Sequence, residues 1–267
     1  EGYADAEKFL VSCAKFGNWL LLRNIHLCPE WLPHLDKLLH ALVPSENFRL
    51  FLTADISSSA LPPALVRRSE LIVIEAPSGV KASLTRFLTS VPSTRVNRAP
   101  AERARMYGLL GWLHAIVQER VRYTPLGWSQ VYDFSEADLG NALDTLDAWI
   151  DRFADGKAHV DPSEFPWTAI QSMLTESVYG GRIHRSSDCT ALKSIIKGIF
   201  CADNYEIGAV LAKDASTGNA LLTLPDGLTA KAFEDWANSL PDSAPPTWLG
   251  LCPEAESNLQ IRTGKSL

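Results

Sequence analysis

Met106-Tyr-Gly-Leu-Leu-Gly-Trp-Leu-His-Ala-Ile-Val-Gln-Glu-Arg-Val-Arg-Tyr-Thr-Pro-Leu-Gly-Trp128 is the most telling stretch of this chain. From Met106 to Val117 it is nearly all apolar, it turns polar from Gln118 to Arg122, and it stops at Pro125 and Gly127. A surface helix would show a polar stripe along such a run, so this one predicts a helix buried on all sides, within a helical segment 101–122. The apolar run of 12 residues is too short to span a bilayer, which takes about 20.

Upstream, strands and helices alternate. Residues 3–16 suit a helix, and Trp19-Leu-Leu-Leu22 with Ile25 reads as a strand. A short apolar run without alternation suits a parallel sheet covered on both faces. Residues 29–43 place Trp31, Leu35, Leu38 and Leu42 on one stripe of an amphipathic helix. Phe48-Arg-Leu-Phe-Leu-Thr53 is a second strand. A Ser/Pro loop over 57–63 and a short helix near 64–68 lead to a third, Leu71-Ile-Val-Ile-Glu75. This order indicates an α/β sheet.

Downstream the pattern becomes helical. After a helix at 81–90 and the one at 101–122, Ser135-Glu-Ala-Asp138 has the form of a capping box. It opens a helix whose stripe is Leu139, Leu143, Leu146, Ile150 and Phe153. Pro166 starts another helix and Gly180-Gly181 ends it. Asp188 is read as the cap of a helix carrying Leu192, Ile195, Ile196 and Ile199. Residues 205–212 and 219–224 read as a β-hairpin over Lys213-Asp-Ala-Ser-Thr-Gly218. A helix at 230–239 follows, then a Pro-rich tail, 241–251, expected to lie across the surface. The expected division is 1–80, 81–200 and 201–267.

Composition limits the function classes. The 267 residues are 46% hydrophobic, enough for a substantial core. Net charge is −6, unevenly spread: residues 1–100 carry 11 Lys and Arg against 9 Asp and Glu, and residues 101–267 carry 14 against 22. An acidic second half without a basic run argues against a nucleic-acid partner. Cys13, Cys28, Cys189, Cys201 and Cys252 form no Cys-x-x-Cys, which argues against zinc and suits reduced thiols in a cytosolic protein. No signal peptide and no membrane insertion are expected.

Several residues invite a chemical reading. Thr263-Gly-Lys-Ser266 has the end of a phosphate-binding loop, but the motif needs a Gly where Leu259 stands, so chance explains it. Arg23 and Asn24 follow the first strand where a nucleotide-binding core would place an acidic pair, and without a carboxylate nothing there holds Mg²⁺. Arg67 and Arg68 either reach the nucleotide of a neighbouring module or are surface cations at a helix end. Asp144, Asp147 and Asp151 share a helical face and read as a solvated acidic stripe rather than a metal site. His26, His34, His40 and His114 form no metal-binding pair, His114 is expected to pack within its helix, and no Gly-x-Ser-x-Gly elbow occurs. No catalytic residue, metal or bound cofactor is assigned to this chain.

The segments together resemble the dynein heavy chain family, cytoplasmic type. Residues 106–128 look like that family's LLAWFHAxxQERLRYxPLGW, and Gly17-Asn-Trp-Leu-Leu-Leu-Arg-Asn-Ile-His-Leu27 like its GxWVxLKNVHL. Phe48 to Thr53, Glu75 to Lys81, Asp144 to Trp149, Ser177 to Ile183, Leu224 to Gly227 and Pro246 to Leu251 follow in the family's order. One departure is His184-Arg-Ser-Ser-Asp188, where the family usually continues with Asp-Asn and a further acid.

The resemblance implies the sixth, carboxyl-terminal module of an AAA+ ring: an incomplete α/β core of about three strands, then a helical lid. Such a module does not hydrolyse nucleotide; it packs against its ring neighbours and couples them mechanically. ATP and Mg²⁺ belong to other modules of the parent, a cytoplasmic, minus-end-directed microtubule motor whose partners are the intermediate, light intermediate and light chains. The alternative is a degenerate AAA+ scaffold outside any motor. An AAA+ core orders its strands 5-1-4-3-2, and the strands here would be the third, fourth and fifth. The first, which separates fourth from fifth, is missing, so Leu71 to Glu75 is expected to pair differently, lend an edge to another copy, or stay loosely ordered. The chain is thus expected to be a fragment, with 101–200 its stable part.

Overall fold

The computed structural model describes residues 2–55, 61–74, 77–206, 208–213 and 219–265. They form two compact units, Glu1–Glu75 and Ala76–Leu267.

The first unit contains α1 (Gly2–Phe16), β1 (Trp19–Leu22), α2 (Leu32–Ala41), β2 (Arg49–Leu52) and α3 (Pro63–Arg68). β1 and β2 pair in parallel, Trp19 opposite Arg49 and Leu22 opposite Leu52. Strand side chains alternate between faces. Leu20, Leu22, Leu50 and Leu52 therefore pack on a core of Leu10, Ile25, Leu32, Leu35 and Leu65. The other face carries Trp19, Leu21 and Phe51, which are 70%, 53% and 46% exposed. The expected sheet covered on both faces is thus corrected: only one face is covered within this unit.

The third strand is corrected too. Leu71–Ile74 joins no ladder, and its four side chains are 52% to 82% exposed. A strand exists only by pairing, and neither β1 nor β2 takes Leu71–Ile74 as a partner on its outer edge. The strand order that the resemblance implies would place a further strand between β2 and Leu71–Ile74. Glu75 and most of the Ser/Pro loop lie outside the described residues.

The second unit runs through α4 (Val80–Ser90), α5 (Ser93–Val96), α6 (Arg103–Arg122), α7 (Glu136–Ala154), α8 (Trp167–Met173), α9 (Ser186–Ile199), α10 (Ala202–Tyr205), β3 (Val210–Lys213), β4 (Ala220–Thr223), α11 (Ala230–Ser239) and α12 (Glu254–Lys265). α6 is its axis, with 17 of 20 residues buried, as the apolar stretch predicts. Helix α11 approaches so closely that a Cβ at Gly108 would lie 2.3 Å from the Phe233 ring. Trp112 meets Trp236 and Trp248, with ring centroids 6.3 and 6.0 Å apart.

The capping box forms in full: the Ser135 amide donates to Asp138 Oδ2 at 2.9 Å, and the Asp138 amide donates to Ser135 Oγ at 3.4 Å. Leu139, Leu143, Leu146 and Ile150 then turn inward. β3 and β4 are antiparallel, as the hairpin reading expects, while Tyr205 belongs to α10 and residues 214–218 of the loop lie outside the described residues. The expected surface tail is corrected. Ala244, Pro246 and Leu249 are buried, because Pro246–Leu249 folds as a 3₁₀ turn whose apolar side chains enter the core. One buried cluster extends from Val80 to Ala255, so hairpin, α11 and turn share a core with the preceding helices.

Candidate functional site

The residues singled out in the sequence do not converge. Arg23 and Asn24 stand just after β1, where Asn24 adopts left-handed backbone (φ 54°) and its amide donates to Thr53 Oγ1 at 2.9 Å. Arg67 and Arg68 end α3 exposed, and Arg68 pairs with Asp36 at 3.4 Å. Thr263, Gly264 and Lys265 are the last turn of α12. A helical backbone points its amides along the axis, so these residues cannot curl around a phosphate. Ser266 lies outside the described residues. Among the described residues no group of three or more His, Cys, Asp or Glu could hold a metal ion.

Two readings are overturned by packing. Asp144, Asp147 and Asp151 form an ion-pair cluster: Asp144 stays 74% exposed, as a solvated stripe would have it, but Asp147 is 13% exposed. Asp147 takes Arg103 Nη1 at 2.5 Å and Arg95 Nε at 2.7 Å, and accepts from Tyr107 Oη. Asp151 takes Arg103 Nη2 at 2.5 Å and Arg98 Nη2 at 3.1 Å, and Asp144 takes Arg95 Nη2 at 2.7 Å. The Arg103 side chain is 0% exposed. Burial alone would lower its pKa, but the bonds to Asp151, Tyr107 and Asp147 outweigh that and raise it. The arginines come from α5, α6 and their connection, which spacing along α7 could not reveal.

Asp188 does not cap its own helix. It lies inside the first turn of α9 and reaches the loop after α6: it accepts from the Ser129 amide at 3.1 Å, Ser129 Oγ at 2.6 Å and Tyr132 Oη at 2.7 Å. Burial works to raise its pKa, and the bonds from Ser129 and Tyr132 outweigh it and hold the carboxyl low. The departure at His184 to Asp188 therefore keeps its acid as a tie between α9 and that loop. His114 is buried as expected, but its Nδ1 faces Tyr179 Oη at 3.2 Å, a partner on another segment.

What does converge is the carboxyl end of α6, the polar half of the opening stretch. Arg120 is buried; its Nε and Nη2 donate to the Gly127 carbonyl at 3.1 and 2.8 Å, and Nη1 donates to the Leu249 carbonyl. Its pKa is lowered by burial, with Asp188 acting against that. Trp128 Nε1 donates to the Val117 carbonyl at 3.0 Å. Glu119 accepts from the Gly79 amide at 3.0 Å and pairs with Arg122 Nη1 at 2.5 Å. Arg262 of α12 donates to the Arg122 and Thr124 carbonyls, and Tyr123 Oη donates to Glu256 at 2.8 Å. These are structural fastenings. They tie α6 and the turn after it to segments distant in sequence.

A family model for the dynein heavy chain AAA lid domain matches residues 103–255, which hold all of α6 and the bonds of Arg120 and Trp128. The chain belongs to the dynein heavy chain family. A second model, for the dynein heavy chain region D6 P-loop domain, matches residues 2–73. Gly2 and Gly17 are the glycines of those residues, and Arg23 and Asn24 follow β1. The dynein relatives include the cytoplasmic dynein heavy chain of Drosophila melanogaster, 43% identical over 270 residues, covering 100% of this chain and 6% of the relative. That of Dictyostelium discoideum is 43% identical, covering 97% of this chain and 5% of the relative. That of Caenorhabditis elegans is 42% identical, covering 100% and 6%. This dynein chain thus spans about one-twentieth of the length of the curated relatives it matches.

Proposed function

We propose that this chain works as the sixth, carboxyl-terminal ring module of a dynein heavy chain, an ATP-driven, minus-end-directed microtubule motor. Its role there is non-catalytic. It packs against neighbouring AAA+ modules of the same heavy chain and carries conformational change between the modules that bind ATP and Mg²⁺ and the microtubule-binding stalk. The parent protein in this reading is cytoplasmic, associates with microtubules, and carries intermediate, light intermediate and light chains.

The observation that carries the reading is the open sheet face of the first unit. Trp19, Leu21 and Phe51 stand exposed beside two strand edges that are unpaired among the described residues, a surface expected where a domain closes against another. The end of β1 supports the non-catalytic part, since Arg23 and Asn24 supply no carboxylate for a metal or a water.

A thermal melt of the purified chain with and without Mg-ATP or Mg-ADP tests it. A nucleotide that binds only the folded state raises the midpoint. No shift is expected. A saturable shift that disappears in Lys265→Ala would place a nucleotide site in this chain and overturn the non-catalytic role.

A further inference from the structure

The second unit has a fastening that joins two segments distant in sequence. Gly79 stands at the amino end of α4, where first-turn amides lack intrahelical partners. Its amide is taken by Glu119, whose other oxygen binds Arg122. The next link is backbone: the Arg122 carbonyl accepts from Arg262 Nη2 at 2.8 Å. Thr124 and Tyr123 add the contacts to Arg262 and Glu256. So α4 and α12 are tied to one five-residue span of chain, Glu119 to Tyr123, with Thr124 beside it.

The two helices differ in what else holds them. Val80, Ser83, Leu84, Phe87 and Leu88 of α4 are buried. In α12 the buried side chain is Ala255, with Glu256 and Leu259 partly covered. A cavity of about 260 Å³ lies where α12 meets this span, lined among others by Pro125, Leu126, Asn258 and Leu259. Helix α12 is thus pegged by side chains more than packed, which suits an element that opens locally without global unfolding.

We infer that the Glu119–Arg122 pair couples the first turn of α4 to α12, so that release of either helix loosens the other. Glu119 holds Gly79 best when Arg122 is fixed, and Arg122 is fixed best when Arg262 grips the carbonyls of its own turn. Coupling of this kind is reciprocal. It belongs to this chain and holds whether or not the chain works in a ring.

Amide hydrogen exchange on the full chain, comparing Arg262→Ala, Glu119→Gln and the double variant, tests it. Peptides covering 77–84 and 254–265 report the two helices, and α7 and α9 peptides report that the fold is intact. Each single variant should speed exchange at both sites by at least about fivefold. The double variant should fall short of the product of the two effects. The inference fails if Arg262→Ala frees α12 while 77–84 exchanges as before, or if Glu119→Gln changes 77–84 alone. Should Glu119→Gln not fold, Arg262→Ala decides by itself, because Arg262 is exposed and its loss leaves the core untouched.

Discussion

The guanidinium of Arg120 lies over the ring of Trp128, 5.0 Å from its centroid, while the same side chain donates to the carbonyl of Gly127. One residue thus closes the turn that ends α6 and stacks on the aromatic anchor beyond it. A lysine keeps the charge and loses the flat fork. Arg120→Lys should destabilise the second unit by about 2–4 kcal/mol, read from urea unfolding. Gly127→Ala should do comparable harm, since its Cβ would lie 2.0 Å from the Arg120 carbonyl oxygen. Wild-type midpoints in both would refute this account of the turn.

Asp147 is the acceptor on which Arg95, Arg103 and Tyr107 meet. Removing it leaves a fully buried guanidinium with one partner fewer. Asp147→Ala should cost about 3 kcal/mol, whereas Asp144→Ala, at a side chain 74% exposed, should cost less than about 1. Equal losses in the two variants would mean that burial does not set the cost.

Asp188 joins α9 to the loop after α6 through Ser129 and Tyr132. Asp188→Asn keeps the shape but turns one acceptor into a donor facing donors. A loss of about 1–3 kcal/mol is expected, and Tyr132→Phe should cost less. Near-wild-type stability of Asp188→Asn would show that the tie is dispensable.

His114 makes stability depend on pH. Burial lowers its pKa from 6.5 to about 4, with Asp138 acting weakly against that. The unfolded chain therefore binds the proton more readily than the folded one. The stability is complete above about pH 6.5 and is lost as pH falls towards 4, on the order of 3 kcal/mol over that window. Carboxylates held low, such as Asp138 and Asp188, act at lower pH. Unfolding measured between pH 7 and 4 should show the slope, and His114→Gln should flatten it.

Helices were legible where local chemistry decides them. Ser135 and Asp138 announce the start of α7 by themselves, and an unbroken apolar run announces that α6 is buried. Contacts between distant segments were not legible. The partners of Asp147 and Asp188 lie on other elements, so a stripe of acids looked solvated and a tie looked like a cap. Helix α12 went unseen because Ala255 and Leu259 are too few to show a period, and the Pro-rich turn looked like surface although Pro246 and Leu249 fill the core. Leu71–Ile74 shows the converse limit: strong strand composition makes no strand until a neighbour pairs with it.

That exposed run also bears on how the polypeptide behaves at high concentration. Leu71-Ile-Val-Ile74 shares its composition with the core of aggregation-prone segments, which run to about six residues: apolar, mostly β-branched, uncharged and free of proline. Arg67, Arg68 and Glu70 stand directly before it. Charges in that position act as gatekeepers, hindering stacking of like segments from many molecules. A role of this kind for the doubled arginine would require no nucleotide at all.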